Sequence, residues 1–428
     1  ELNPPRGPER PTNVNEPLEG PGRKNVLFLS SGETISRMFA SVIRALNPKH
    51  HRTLVVNQDF YYGEKGAKIL ETAGAATRSL REYGTYNTRA ILRKEGPDVL
   101  VVGHAGGVVE RAFIASCRSL EIPTLLLQDG IIGQPAPLTF RDSVSMATHM
   151  ISSFLANPRA VARHLFFVRS FGPRNLLHAF ASWSKVSHEY ARERCTKAAV
   201  MGPYAKRVFA KLGYEAEDVV VTGQPRFDAL EGLRDSKEAT CLRLGLDRSQ
   251  RTLLVATPVL RNAEQRAAFM AAIIRAANRV GQLNLVVKVH PREATEPYHE
   301  LMREEGAGDA LVIADFPVPS LLHACDLLVS SYSTMALEAL IVGKPVVVLN
   351  IPGEAAYYPF GEQGVSATAS DELELEGAIR ELLLNGGETE EMAIRTQRFV
   401  REHAYARDGR SSERVAGLIR DLSASHVS

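Results

Sequence analysis

V-K-V-H-P-R-E at residues 287–293 and C-D-L-L-V-S-S-Y-S-T-M-A-L-E-A-L-I-V-G-K-P-V-V-V-L-N at residues 325–350 decide the reading of this chain. The first is an apolar strand ending on Lys288, His290 and Arg292. The second is a strand from Leu327 to Val329 that breaks into a hydroxyl-rich turn and opens a helix. The first backbone N–H groups of a helix lack partners and sit at the positive end of its dipole, which suits an anion. Ser330, Ser331, Ser333 and Thr334 are therefore expected around the phosphates of a nucleotide. A serine at a helix start is often only a cap. Glu338 adds weight, because it follows Thr334 by four residues on the same helical face, within reach of a sugar or ribose hydroxyl pair. His290 ends its strand where open α/β sheets place ligands, and Arg292 beside it is a donor suited to phosphate. Thr257, after L-L-V-A, ends another strand and is expected to line the same cleft.

Outward from this stretch the grammar is strand then helix, repeated. N-V-L-F-L-S from Asn25 is followed by helical spacing of Ile35, Phe39, Val42, Ile43 and Leu46. Strands follow around Thr53, Asp98 and Thr124, separated by amphipathic stretches around Leu70, Ile91 and Phe113. In the second half, apolar runs at Lys197, Val219, Leu253, Leu283, Ala310, Leu327 and Val346 read as strands. Short apolar strands alternating with helices indicate parallel, doubly wound sheets. We expect a lead-in over 1–23, a first domain over 24–197, a second over 198–400 and a crossover helix over 401–428. At the end, Asp408-Gly409 is a break and Ser411 or Ser412 a plausible N-cap.

A chain of 428 residues is long enough for two such domains. Hydrophobic residues at 44% and charged residues at 23% exclude disordered and fibrous classes for its body. Lys plus Arg at 51 against Asp plus Glu at 49 argues against a nucleic-acid partner read by a basic surface. Cys117, Cys195, Cys241 and Cys325 are scattered without C-x-x-C spacing, as expected for thiols in a reducing compartment, and no metal site is expected. The proline-rich lead-in lacks the apolar core of a secretory signal, and no run reaches the ~20 apolar residues of a membrane span. A cytoplasmic protein is expected, with attachment to the inner face of a membrane left open. Residues 143–188 hold no Asp or Glu and interleave Arg159, Arg163, Arg169 and Arg174 with Phe154, Phe166, Phe167, Phe171 and Trp183. Such a basic and aromatic helical insert packs its aromatics inward or meets an anionic membrane or acceptor.

The first domain offers the base. Asp129 follows the apolar run P-T-L-L-L and precedes Gly130, whose lack of a side chain lets a ligand approach the backbone. A carboxylate there could take the proton from an attacking hydroxyl. It could also merely satisfy a turn. His104, in G-H-A-G-G after the preceding strand, is the reserve.

With these residues in view, the chain resembles GT-B glycosyltransferases of bacterial capsule and surface carbohydrate, the branch that includes polysialyltransferases and the glycerophosphotransferases of teichoic acid synthesis. His290-Pro291 is similar to their HP motif, and S-S-Y-S-T at Ser330 to their serine/threonine motif, both of which bind the donor's phosphates in that family. V-T-G-Q-P-R-F-D at 221–228, which contains Arg226, is similar to their G-N-P-R-F-D segment, and D-G-R-S-S-E-R at 408–414 to their terminal-helix signature. The matches cover about half the chain. Gln128, Asp129 and Gly130 mix two variants, the acidic pair before glycine and Gln-His-Gly. The L-E-A continuation after the serine motif favours a sugar donor over CDP-glycerol.

The resemblance implies two Rossmann-like domains facing a cleft, with C-terminal helices packing across both. It further implies a metal-independent, inverting glycosyltransferase with no cofactor. Its partners would be a nucleotide-sugar donor and a glycan or lipid-linked acceptor. Asp129 and His290 would be catalytic; Gly130, His104, Thr257, Arg226, Arg292, Ser330, Ser331, Ser333, Thr334 and Glu338 would bind substrate. A nucleotide-sugar epimerase of the same architecture and a CDP-glycerol glycerophosphotransferase are the alternatives.

Overall fold

The computed structural model describes residues 22–58, 65–133, 193–231, 236–258, 262–291, 293–331, 333–350, 358–384 and 389–425. Arg292, the basic and aromatic segment 143–188 and nearly all of the lead-in 1–23 lie outside the described residues. Among the described residues, thirteen strands form two parallel sheets. The first contains β1 (Lys24–Ser30), β2 (His51–Asn57), β3 (Ala76–Ser79), β4 (Val99–Val102), β5 (Thr124–Leu127), β6 (Lys197–Val200) and β7 (Val219–Val221), in the order β3-β2-β1-β4-β5-β6-β7. The second contains β8 (Arg251–Ala256), β9 (Leu283–Lys288), β10 (Leu311–Ile313), β11 (Leu327–Ser330), β12 (Val346–Leu349) and β13 (Ala367–Ala369), in the order β10-β9-β8-β11-β12-β13.

Both faces of each sheet are covered, which is why the central strands are apolar throughout instead of alternating with polar residues. In β1, Leu27 and Leu29 pack on one side with Phe113 and Val208, while Val26 and Phe28 pack on the other with Met38 and Phe39. In β8, Leu253 and Val255 meet the helix Ala263–Val280, and Leu254 and Ala256 meet the opposite layer around Leu337. The covering helices have local start and stop signals. Asn87 and Ser236 accept from the backbone of Ala90 and Ala239 at the starts of Thr88–Glu95 and Lys237–Leu244. Gly96 and Gly245 end the same helices at φ 53° and 70°, the left-handed region that glycine enters without strain.

The division between sheets differs from the sequence reading. K-A-A-V and V-V-V extend the first sheet, since β6 pairs with β5 and β7 with β6. The second sheet therefore starts at Arg251, and the boundary is not at 197/198. A short apolar strand carries no label for its sheet, and here the open edge of β5 takes up β6. Two edge strands, β3 and β13, are missing from the sequence reading because A-T-R-S and A-T-A lack an apolar run.

The chain crosses back at its end. The helix Glu390–Ala404 lies against the helix Thr334–Ile341 of the second domain and Pro203–Lys211 of the first. The helix Ser411–Ser425 then sets Val415, Ala416, Ile419 and Leu422 on the first sheet beside Val26 and Phe28. Its start is not capped by its own serines: Asp228 accepts from the backbone N–H of Ser411 at 3.0 Å and of Ser412 at 2.8 Å. Among the described residues no helix is long and apolar enough to cross a membrane.

Candidate functional site

In each sheet the strand order reverses once, between β1 and β4 in the first and between β8 and β11 in the second. Ligands of open α/β sheets bind outside the carboxyl ends of the strands at such a reversal, where the connecting loops part. The residues singled out from the sequence fall on these ends. Ser31 and His104 follow β1 and β4, and Asp129 follows the neighbouring β5. Thr257 and Ser331 follow β8 and β11, and His290 follows β9.

On the second sheet, the Thr257 hydroxyl accepts from the backbone N–H of His290 at 2.9 Å, which ties two strand ends together. Behind this turn Glu293 accepts from Tyr298 at 2.6 Å and from Arg266 at 3.1 Å, and its N–H returns to the carbonyl of His290. The His-Pro turn is thus held from below. Ser333 is the N-cap of the helix Thr334–Ile341, accepting from the Met335 N–H, and no acidic residue lies in that helix's first turn. Its positive end is uncompensated by a carboxylate at the start.

One sequence expectation fails here for a plain reason. The Ser330 hydroxyl is fully buried and donates to the carbonyl of Ala256 at 3.0 Å, so it ties β11 to β8 and does not face the cleft. Lys288 is likewise turned inward; its ammonium donates to the carbonyls of Ala314 and Val289, and burial pulls its pKa below the ordinary lysine value. Ser331, Ser333 and Thr334 remain at the strand end and helix start.

The first domain presents Asp129 on a pinned loop. Gln128, 1% exposed, accepts from Met201 N–H at 3.0 Å through its side chain and donates to the carbonyl of Gly130 at 3.0 Å. Gln224, also buried, donates to the carbonyl of Gln128 at 2.7 Å. Gly130 adopts φ 64°, a left-handed turn that a side chain would strain. A β-carbon there would lie 3.6 Å from the Thr334 hydroxyl of the other domain, so the two loops touch. The next residue, Ile131, packs into the second domain's core beside Met335 and Phe227.

Arg226 links the halves. Its guanidinium lies 3.6 Å from Asp129 Oδ1 and 3.2 Å from Glu338 Oε1. Burial raises the pKa of Glu338, Arg226 opposes this, and Asp129 adds to it. The two carboxylates share one cation, and Asp129 Oδ1 has no hydrogen-bond donor among the described residues. Arg226 thus stands between Asp129 of the first domain and Glu338 on the helix Thr334–Ile341, while Gly130 lies against the Thr334 hydroxyl. Glu338 faces that cation.

His104 lies apart, in a set the sequence reading did not assemble. Its Nε2 is 2.9 Å from the Ser31 hydroxyl and 3.3 Å from Glu110 Oε1, and Gln58 donates to the same oxygen at 2.6 Å. The available signal was positional: Ser31, Gln58 and His104 each follow the carboxyl end of a strand, and Glu110 sits in the first turn after Gly107. Among the described residues no group of three or more His, Cys, Asp or Glu could hold a metal ion. All four cysteines are free and buried, and burial pushes the thiols of Cys195 and Cys325 up to about 12.

A family model for CDP-glycerol:poly(glycerophosphate) glycerophosphotransferases matches residues 181–421, more than half of the chain. The chain belongs to this family. The match covers the second sheet, Arg226, His290, Ser331–Glu338 and the crossover helices, so the residues that build the distal half of the cleft all fall within it. A comparison with curated protein sequences finds no significant match. Among solved structures, S. aureus MnaA with UDP is 15% identical, aligns over 93% of this chain and 96% of its own, and has a TM-score of 0.60. UDP-GlcNAc 2-epimerase from Neisseria meningitidis bound to UDP-GlcNAc is 16% identical over 93% and 100%, with a TM-score of 0.60. The wall teichoic acid polymerase TagF soaked with CDPG is 10% identical over 94% and 89%, with a TM-score of 0.59. At these identities the likeness is one of fold. The fold is GT-B, a family member with two parallel-sheet domains and crossover helices.

Proposed function

We propose that this family member is a glycosyltransferase that moves a sugar from a nucleotide-sugar onto a hydroxyl of a surface-glycan or lipid-linked acceptor. The observation that carries the reading is Arg226, just after β7, standing between Asp129 on the first domain and Glu338 on the helix Thr334–Ile341 of the second, with Gly130 against the Thr334 hydroxyl. The donor's phosphates belong at the second domain, where the Ser333–Thr334 helix start bears no carboxylate. In the first domain the helices that follow β1 and β4, the strands at its order reversal, start with Glu33 and Glu110, which disfavours an anion at that reversal.

In the reaction, Asp129 takes the proton of the acceptor hydroxyl. The oxygen forms a bond to the anomeric carbon, the bond from that carbon to the phosphate oxygen breaks, and the electron pair leaves with the nucleoside phosphate. Attack opposite the leaving group inverts the centre. His290, Arg292 and the amides and hydroxyls of Ser331, Ser333 and Thr334 meet the charge that builds on the phosphate, the kind of prearranged electrostatics that usually supplies the largest share of acceleration. Glu338 suits the donor's sugar or ribose hydroxyls once Arg226 turns toward phosphate. In this reading the chemistry runs without a metal ion, and the protein works in the cytoplasm, at the inner face of a membrane if segment 143–188 binds lipid.

The family match favours a second reading, in which the same cleft transfers glycerophosphate from CDP-glycerol. The products separate the two. The purified chain is incubated with UDP-, GDP-, CDP- and CMP-sugars and with CDP-glycerol, with and without a glycan acceptor. Acceptor-dependent release of nucleoside phosphate from a sugar donor supports the first reading, and release of CMP from CDP-glycerol supports the second. Isomerised donor without acceptor makes the protein an epimerase, and turnover unchanged in Asp129→Ala removes the base assigned here.

A further inference from the structure

Thr257, Tyr298, Glu293 and Arg266 have no part in the chemistry above, yet their hydrogen bonds close a circuit on His290. The Tyr298 hydroxyl donates to Glu293 Oε2 at 2.6 Å, and Arg266 donates to Oε1 at 3.1 Å. Burial, with this carboxylate, pushes the Tyr298 hydroxyl up to about 12, so the phenol keeps its proton; the Thr257 and Arg266 side chains oppose the rise as hydrogen-bond partners of the phenol oxygen. The directions are then fixed. A carboxylate paired with Arg266 only accepts, so the phenol proton goes to Glu293 and the phenol oxygen is left to accept. Thr257 therefore donates to it. The His290 N–H donates to the Thr257 oxygen at 2.9 Å, and the Glu293 N–H donates to the His290 carbonyl at 2.9 Å. Both backbone polar groups of His290 thus end on Glu293, the carbonyl directly and the N–H by way of Thr257 and Tyr298.

The circuit is turned away from solvent: Tyr298 is fully buried beside Met270, Ile273 and Val289, and Thr257 and the Glu293 side chain are buried with it. The Thr257 hydroxyl, expected from the sequence to line the cleft, has its one proton directed inward and offers none to a phosphate. A phenol, a carboxylate and a guanidinium in this place cost more to bury than apolar side chains of similar size, but a fully connected polar network rigidifies what it holds. Here it holds the end of β9, which pairs with β8 at the strand-order reversal. We propose that Tyr298 is a positioning residue for the transfer: through Thr257 and Glu293 it fixes the His290 turn against the departing phosphate, and Thr257 serves this circuit instead of binding substrate. This rests on the proposed function in taking His290 to face the donor's phosphates, and it applies to a sugar or a glycerophosphate donor alike.

Two measurements on the full chain test it. The first is a double-mutant cycle with the active donor and acceptor. Tyr298→Phe keeps the ring in the core and removes the hydroxyl; Thr257→Val keeps the shape and removes both hydrogen bonds. Each should lower kcat about tenfold, the worth of one hydrogen bond to a buried group, with the donor KM within about threefold. Made in a His290→Ala chain, neither should lower kcat further by more than about twofold, because the residue they act through is gone. Equal losses with and without His290 overturn the inference and leave the transferase reading standing, whereas undiminished turnover in His290→Ala overturns both. The second measurement needs no donor: backbone amide exchange is followed by NMR in wild type and Tyr298→Phe. The His290 amide should exchange about tenfold faster in the variant, and more so than the amides of β11. A His290 amide that changes only as β11 does reports a general loss of stability, and overturns the inference whatever reaction the protein runs.

Discussion

His403 offers a stability test whose size can be worked out. It lies on the helix Glu390–Ala404, stacked on Phe399 at 3.9 Å and beside Tyr204 of the first domain at 4.3 Å, with the Tyr358 hydroxyl on its Nδ1. Burial, assisted by the Arg207 guanidinium, lowers its pKa to about 3. The native state thus holds the imidazole neutral while the unfolded chain titrates it near ~6.5. The sign follows: this contribution is complete above the unfolded value and is lost as the pH falls below it, until the native pKa is reached. Between pH ~7.5 and ~5.5 the unfolded state takes up about one more proton, a loss of about 1.4 kcal/mol. Replacing His403 by Phe keeps the aromatic stack and removes the proton site. Urea unfolding of both proteins at the two pH values should show the wild type losing about 1.4 kcal/mol more than the variant. The variant starts lower at neutral pH by about 1 kcal/mol, because the Tyr358 hydroxyl loses its partner. Parallel losses in the two proteins would refute a neutral, buried His403.

Arg226→Ala leaves the Asp129 and Glu338 carboxylates facing each other without their shared cation. Unfolding free energy should fall by about 3 kcal/mol and transfer by about a hundredfold, and Glu338→Gln in the same chain should restore part of the stability without the activity. Gly202→Ala should cost about 1–3 kcal/mol by calorimetric Tm, since a β-carbon there would lie 2.4 Å from the backbone carbonyl oxygen of Glu402 on the crossover helix, an atom that cannot swing aside. Asp326 is opposed by burial, but hydrogen bonds from Lys237, the Thr252 N–H and Arg251 win and hold its pKa below the usual carboxylate value. Its stabilisation is present above ~3.9 and lost as pH falls through the lower native value. Asp326→Asn should therefore be less stable by about 2 kcal/mol at neutral pH and should lose less on acidification, by denaturant titration.

The parts of the fold legible in the sequence are those that burial writes into it. β1, β4, β8 and β11 are central strands, covered on both faces, and each reads as an apolar run. Among the edge strands, β7 and β10 keep an apolar run and were read, but β3 and β13 lack one and were silent. The sheet boundary was misread for a related reason: which sheet β6 and β7 join is decided by hydrogen-bond partners at long range, and V-V-V is equally apolar in either. The strand-end and helix-start positions of Asp129, Thr257, His290 and Thr334 were legible because such ends and glycine-flanked turns have a local signature. Ser330 was overcounted because a run of hydroxyls does not reveal which one turns inward to a neighbouring carbonyl. Asp228 was quoted only as part of a motif, and its work, holding the start of a helix some 180 residues later in the chain, depends on the crossover.

The position of Arg226 explains why the two halves of the cleft cannot be treated separately. Asp129 with no cation would face Glu338 across the cleft, and repulsion between carboxylates in a poorly solvated place would drive one of them to hold a proton. Arg226 removes that penalty in the form described here, at 3.6 Å from one and 3.2 Å from the other. A donor diphosphate at the Thr334 helix start brings a stronger claim on the same guanidinium, because charged forks prefer bidentate phosphate. As Arg226 shifts toward phosphate, its pairing with Asp129 weakens and the carboxylate becomes a better proton acceptor. On the transferase reading, donor arrival would thus switch on the base, and the order of binding would be donor first. Initial-rate patterns with varied donor and acceptor decide the point: an ordered pattern with donor leading is the expected result, and acceptor binding of equal strength with and without nucleotide would remove the coupling through Arg226.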